Sequence, residues 1–348
     1  MSNWDVLIKK ADLRLAEVRP SVEVALSEGQ VRVAIESFSI TANNITYGAI
    51  GDQFGYWKFF PAPEGFGRIP VWGFATVVES KVADAPVGLR LFGYLPMSTH
   101  LVMELIKTRH GYVDTAAHRA ELPPTYNAYN EAPVDKLDDY RSLLRPLLMT
   151  SFLLDDFLSE DEALTTLVLS SASSKTAMGL AWFAKRRGRK VIGLSSPANL
   201  AQLEGLGLYD QLLPYDQVGD LASSGPTAFI DFAGNRAVVA AAHAALGDHL
   251  TRSLIVGGTH WEARVQGDKL VGPAPVLFFA PDQIRKRAGE WGPTEVDRRF
   301  TEGLVEFVAQ SPWLNIIHHH GADGLLTAYA EVVDGRTLPQ DGHIISPV

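Results

Sequence analysis

The chain has 348 residues and a mass of 38.0 kDa, enough for about two domains of ordinary size. Hydrophobic residues make up 46% and charged residues 20%, a balance that excludes disorder by composition. A net charge of −9 argues against nucleic acid or an anionic membrane as partner, and the absence of cysteine excludes disulfides, thiolate nucleophiles, iron–sulfur clusters and sulfur-ligated zinc.

The opening Met1-Ser2-Asn3-Trp4-Asp5-Val6 lacks the basic-then-apolar order of a signal peptide, and no run reaches the ~18 apolar residues of a membrane span. The expectation is a cytoplasmic protein acting on a small molecule. Residues 22–101 read as β-rich, with short apolar runs such as Val31-Arg32-Val33-Ala34-Ile35 and Phe74-Ala75-Thr76-Val77-Val78 between Gly and Pro breaks, the pattern of a small barrel or sandwich. From 103 to 146 the sequence is polar and aromatic, periodicity fades, and a long excursion with some helix is expected. Residues 138–158 then show apolar spacing of helical period.

After the acidic cluster Ser159-Glu160-Asp161-Glu162 the rhythm changes to alternating strand and helix. Leu167-Val168-Leu169, Lys190-Val191-Ile192-Gly193-Leu194, Leu212-Leu213, Phe229-Ile230-Asp231 and Leu254-Ile255-Val256-Gly257 read as strands, with helices at 176–187, 200–205 and 236–246. That order predicts a parallel, doubly wound sheet of the Rossmann type. The tail adds a strand at 276–279, a charged helix from Asp282 and a last helix at 323–333.

The loop Ser170-Ser171-Ala172-Ser173-Ser174-Lys175-Thr176-Ala177 stands where such a sheet holds a pyrophosphate at a helix N-terminus. It lacks G-x-G-x-x-G: Ser174 and Lys175 occupy glycine positions, and Ala177 suits the third. One reading is that the hydroxyls and the Lys175 ammonium bind phosphate in place of backbone contacts; the other is a capped helix start without a ligand. Leu194-Ser195-Ser196-Pro197 offers hydroxyls and no carboxylate at the end of the second strand, which favours NADP(H) over NAD. The basic run 185–190 reads as a solvated helix end, and Gly205-Leu206-Gly207 as a helix C-cap.

The chain resembles the medium-chain dehydrogenase/reductase superfamily, in particular its zinc-free quinone- and enoyl-reductase branch. The resemblance is carried by residues 167–185, Val191 to Ser196 in sequence, Asp231-Phe232-Ala233-Gly234, Ile255-Val256-Gly257-Gly258, Pro70-Val71-Trp72-Gly73-Phe74 and Arg90-Leu91-Phe92-Gly93-Tyr94-Leu95, with Leu148-Met149-Thr150-Ser151 at the family's threonine-containing helix start. It implies a β-rich, GroES-like catalytic domain from residues 1–147 and 312–348 and a Rossmann-type nucleotide-binding domain from 148–311, with the active site in the cleft. Zinc-dependent relatives have G-H-E where this chain has Trp72-Gly73-Phe74, so no metal is expected. The long 103–146 segment, together with Asn43-Asn44-Ile45-Thr46-Tyr47 and Thr259-His260-Trp261, is similar to a bacterial family known only as a domain of unknown function.

The implied activity is NADPH-dependent, zinc-independent hydride transfer to an enone, quinone or ketone. Expected cofactor contacts are Thr150, Ser173, Ser174, Lys175, Thr176, Ser195, Ser196, Asp231, Gly258 and Thr259; expected catalytic residues are Asn44, Tyr47, Tyr56 and His260. Asn44 and Tyr47 can hydrogen-bond a carbonyl or enolate, Tyr56 can act as the acid, and His260 follows a strand at the ligand-binding edge. Arg119 can hold a substrate carboxylate or phosphate. The histidines 318–320 alternate faces on a strand and do not converge on one ion. A homodimer fits the resemblance. Two alternatives stay open: a lyase or isomerase with a lost or structural nucleotide, and a nucleotide-binding sensor.

Overall fold

The computed structural model describes residues 3–256 and 270–348. They form two compact units: Met1–Arg145 with Leu314–Thr337 and Asp341–Val348, and Pro146–Trp313 with Leu338–Gln340.

The first unit begins with β1 (Trp4–Lys9), β2 (Ala16–Pro20), β3 (Gln30–Ile40), α1 (Ala42–Ala49), β4 (Phe66–Gly67), β5 (Pro70–Ser80), β6 (Arg90–Pro96), β7 (His100–Thr108), β8 (Gly111–Asp114) and β9 (Ala128–Glu131). Strands β3, β5, β6, β9, β8 and β7 pair in that order, and β7 pairs back onto β3, which closes a barrel and removes its open edges. Alternation fills the interior: Val31, Val33 and Ile35 on β3 are buried with Val71, Ala75 and Val77 on β5. The returning β16 (Asn315–His320), α8 (Gly321–Val333) and β17 (Asp341–Ser346) complete this unit. Leu325, Ala328, Tyr329 and Val332, at helical spacing on α8, join the same core.

The 103–146 segment is more regular than its sequence suggests. Strands β7, β8 and β9 make it part of the barrel, with short 3₁₀ turns at Ala117–Arg119 and Pro124–Tyr126 and little helix before Asp138. Its polarity hides a buried ion pair: Arg119 Nη1 lies 3.2 Å from Asp114 Oδ2, both side chains all but inaccessible. Arg119 also donates to Tyr129 Oη at 2.9 Å and to the Phe59 carbonyl at 3.3 Å. The expected role for Arg119 as a substrate clamp therefore gives way to a structural one, because its guanidinium is already spent inside the fold. Gly93 makes room for this arrangement, since a Cβ there would fall 2.2 Å from the Tyr129 ring.

The helix α2 (Asp138–Ser159) contains Pro146. Proline cannot donate to the carbonyl four residues back, Ser142, and the buried Ser39 hydroxyl takes that acceptor at 2.7 Å.

The second unit holds β10 (Thr166–Leu169), α3 (Lys175–Arg186), β11 (Lys190–Ser195), α4 (Pro197–Glu204), β12 (Gln211–Pro214), β13 (Thr227–Asp231), α5 (Arg236–Leu246), β14 (Leu250–Val256), β15 (Val276–Phe278), α6 (Ala280–Trp291) and α7 (Pro293–Ala309). All six strands are parallel, in the order β12-β11-β10-β13-β14-β15. Counted along the chain this is 3-2-1-4-5-6, the doubly wound Rossmann order with its reversal between β10 and β13. The fold is therefore a GroES-like β-barrel unit plus a Rossmann-type sheet, as the sequence pattern predicts. The basic run at the end of α3 is less solvated than expected: Arg189 is buried and donates to the Leu158 and Leu164 carbonyls, while Arg187 pairs with Asp155 at 2.6 Å.

Candidate active site

Polar and aromatic side chains gather in two groups, one in each unit. In the second unit they gather at the carboxyl ends of the strands, where open α/β sheets bind ligands.

Ser171 follows β10 with φ of +48°, the left-handed region that a glycine adopts without strain. Two tyrosines pin this residue and the next: Tyr215 Oη accepts the Ser171 N–H at 2.9 Å, and Tyr209 Oη donates to the Ala172 carbonyl at 2.6 Å. Ser173 Oγ accepts from Asn199 Nδ2 at 3.0 Å and from Ser195 Oγ at 3.4 Å, so three of the hydroxyl and amide groups at the ends of β10 and β11 meet at one place. Ser174 is the N-cap of α3, its hydroxyl accepting the Ala177 N–H at 3.2 Å. Within the helix the Thr176 N–H has no carbonyl to reach, as for any residue of a first turn.

Other expected cofactor residues are engaged elsewhere. Lys175 Nζ donates to the Pro339 carbonyl at 3.1 Å. The Thr150 hydroxyl donates to the Pro146 carbonyl one turn back at 2.9 Å. Asp231 is buried and its carboxylate accepts from Ser170 Oγ and from the N–H groups of Ala233 and Gly234, a capped turn at the end of β13. Ser196 is the N-cap residue of α4, half-buried, with no side-chain capping bond. Gly258, Thr259 and His260 lie outside the described residues.

In the first unit, Asn43-Asn44-Ile45-Thr46-Tyr47 lies on the helix α1. Asn44 is buried and fully employed: Oδ1 accepts the Thr41 N–H at 2.8 Å and Nδ2 donates to the Pro70 carbonyl at 2.8 Å, the reciprocal half of a capping box. This fastens α1 to β5 and aims the next turn, which bears Tyr47. Tyr47 and Tyr56 stack with ring centroids 4.5 Å apart. They belong to an aromatic cluster with Phe59, Phe60, Tyr94, Trp72 and Tyr126. Tyr47 and Tyr94 are buried, whereas Tyr56, Trp72 and Tyr126 are only partly so. Burial, and then the adjacent Tyr56 hydroxyl, raises the pKa of Tyr47; burial likewise raises that of Tyr56, Tyr94 and Tyr126. All four phenols are thus protonated donors at neutral pH. Tyr126 is the member that spacing alone did not single out as catalytic.

A cavity of about 260 Å³ in the same unit is lined by charged groups including Asp5, Arg32, Arg68 and His100. Most of its charges are already paired, Arg68 with Asp5 at 2.6 Å and Arg119 with Asp114 at 3.2 Å in the wall, and Arg32 with Glu79 at 3.1 Å beyond it. Among the described residues no group of three or more His, Asp or Glu is placed to hold a metal ion. His319 instead bonds His343 at 2.9 Å. No helix among the described residues is long and apolar enough to cross a membrane.

A closed barrel joined to a 3-2-1-4-5-6 parallel sheet is the architecture of the medium-chain dehydrogenase/reductase superfamily. A family model described as "Protein of unknown function (DUF2855)" matches residues 38–338, and the chain belongs to that family. No curated protein matches the sequence. Among solved structures, CurA from Vibrio vulnificus is 13% identical with a TM-score of 0.66, over 100% of this chain and 99% of that one. CurA from the same organism in complex with NADPH is 12% identical with a TM-score of 0.66, over 99% of each chain. The quinone oxidoreductase from Coxiella burnetii is 13% identical with a TM-score of 0.59, again over 99% of each. At such identities the likeness is one of fold.

Proposed function

We propose that the protein is an NADPH-dependent oxidoreductase that reduces an enone, quinone or ketone without zinc. The observation that carries this reading is the serine-lined carboxyl edge of the Rossmann sheet. Where an NAD-preferring site has a carboxylate for the ribose, Ser195 and Ser196 follow one another, with Ser173 bonded to both Ser195 and Asn199. An anionic 2′-phosphate is repelled by a carboxylate there and accepted by hydroxyls. Fold neighbours whose structures contain NADPH add support.

The residues present fit a dinucleotide. Ser171 holds the backbone in the conformation that a glycine would otherwise supply, and the first turn of α3 offers N–H groups to a pyrophosphate. Ser173, Ser196 and Asn199 would hold the adenine ribose and its phosphate, the buried Ser195 would position Ser173, and Thr176 would hold the pyrophosphate. Lys175, tied to Pro339, contributes positive charge more than a directed contact. When bound, NADPH supplies a hydride. The chain's own part is to hold the acceptor against the aromatic cluster and to donate a proton to its oxygen, for which Tyr56 is the partly exposed phenol. Gly73 stands at the histidine of the zinc relatives' G-H-E, and a residue without a side chain offers a cation no donor there.

The test is a fluorescence titration with NADPH and NADH, followed by NADPH oxidation with 2-cyclohexenone and 1,4-benzoquinone. Micromolar NADPH affinity, much weaker NADH affinity and turnover of either acceptor are expected. Failure to bind NADPH would overturn the proposal.

A further inference from the structure

The 103–146 segment places Tyr126 against Tyr56, with hydroxyl oxygens 3.5 Å apart and rings nearly perpendicular at 5.9 Å. Tyr126 is held firmly. Its ring leans on Tyr94 at 4.7 Å and Phe59 at 5.5 Å, and its turn is closed by the Asn127 N–H on the Pro124 carbonyl at 3.0 Å. Asn127 Nδ2 in turn donates to the Arg119 carbonyl at 3.2 Å, which ties the turn to the buried Arg119–Asp114 pair.

The phenol pair has a hydrogen to spare. Two hydroxyls that face one another share one hydrogen, so one of the pair keeps a hydrogen for another acceptor. The Tyr94 hydroxyl and the Trp72 indole N–H are buried beside the Tyr47 hydroxyl, short of full hydrogen-bond geometry. Buried donors left unmatched are costly, at roughly 1–3 kcal/mol each. The hydrogen that the Tyr56–Tyr126 contact leaves over, on two partly exposed tyrosines, can be taken by an electron-rich oxygen.

We propose that Tyr56 and Tyr126 together form a two-hydroxyl cradle that donates to one oxygen of a flat conjugated ligand, a carbonyl in the ground state and an enolate or phenolate when charged. The rings beside the pair take the flat face, which restricts the ligand to planar, conjugated molecules and disfavours saturated ketones. This deepens the proposed function and rests on the reading of the aromatic cluster as the substrate site. Tyr126 becomes a second substrate-touching residue, supplied by the 103–146 segment.

The test uses 4-nitrophenol with the intact protein and no nucleotide, since its phenolate oxygen on a planar ring mimics an enolate and its absorbance reports hydrogen bonding. The native protein is expected to bind it and shift its band. Tyr56→Phe and Tyr126→Phe, which keep every ring contact, are each expected to weaken binding by at least about tenfold, with unchanged thermal melting. No binding by the native protein, or equal binding by Tyr126→Phe, would overturn the cradle. If tyrosine-dependent binding holds while NADPH reduces no acceptor, the redox reading falls and the cradle stands. If acceptors are reduced and Tyr126→Phe changes neither kcat/KM nor nitrophenol affinity, the reverse is true.

Discussion

The Ser170 hydroxyl donates to Asp231 Oδ1 at 2.6 Å and so joins the ends of β10 and β13, the two strands between which the sheet reverses its order. The same oxygen accepts the Phe232 N–H at 2.8 Å and the Ala233 N–H at 3.2 Å. Both side chains are buried, so one serine organises the floor of the crevice in which a doubly wound sheet takes its ligand.

Replacing Ser170 by alanine removes a donor from a buried carboxylate and an acceptor from two N–H groups at once. A loss of about 1–3 kcal/mol in folding free energy is expected from urea denaturation, with the dependence on denaturant unchanged. A variant as stable as the native protein would show that water replaces the hydroxyl without cost.

Ser171 tests whether the loop carries strain in place of its missing glycine. Left-handed backbone costs a non-glycine residue roughly 1–2 kcal/mol, and glycine's extra freedom in the unfolded chain offsets part of the relief. Ser171→Gly should therefore match or slightly exceed native stability, while Ser171→Val, β-branched at positive φ, should fall clearly below it. Thermal melting of the three proteins gives the order directly, and a valine variant as stable as serine would remove the argument.

Arg119 and Asp114 show what a buried ion pair costs when it is broken. Arg119→Met leaves a carboxylate without its partner at a site that admits almost no solvent, and a loss of about 3–5 kcal/mol is expected. Removing both charges, as Arg119→Met with Asp114→Leu, should recover part of that loss. A double variant less stable than Arg119→Met alone would show that the other Arg119 bonds, to Tyr129 and Phe59, dominate.

The sheet was legible because parallel strands covered on both faces need continuous apolar runs, and Leu167-Val168-Leu169 and Phe229-Ile230 are such runs between turn residues. The barrel was legible in part, through the alternation on β3 and β5. What the sequence concealed depends on distant partners. Arg119 reads as a substrate clamp until Asp114 is placed beside it, and a polar segment reads as a loop until its strands find β6 and β7. Asn44 was picked for its chemistry, yet its partners are the Thr41 N–H and the Pro70 carbonyl, the latter 26 positions away. Tyr126 was visible as an aromatic residue in the long segment, but nothing local announces that its hydroxyl meets Tyr56, 70 positions earlier.

Cofactor preference can be turned at Ser196. It is the N-cap residue of α4 and makes no capping bond, and aspartate is among the preferred residues at that position. Ser196→Asp should thus keep or raise stability while it places a carboxylate where an NAD site has one. Titration should show NADPH affinity falling at least about tenfold, through repulsion of the 2′-phosphate, with NADH affinity rising. If both affinities fall together, or neither moves, the adenine ribose does not sit at this strand end.

His243 sets a pH dependence that is separate from the site. It is buried on α5, with Nδ1 2.8 Å from the Val271 carbonyl and Nε2 2.8 Å from Ser253 Oγ. Burial lowers its pKa, and the bond to Val271 opposes that only in part. The imidazole is therefore neutral in the fold over a range in which the unfolded chain binds a proton. Protons favour the unfolded state there, so stability is full above the ordinary imidazole value of about 6.5 and declines as pH drops below it. Denaturation midpoints at pH 7.5 and 5.5 should differ more for the native protein than for His243→Gln, whose amide can still bond at this position but does not titrate. Equal pH sensitivity of the two would assign the decline to other groups.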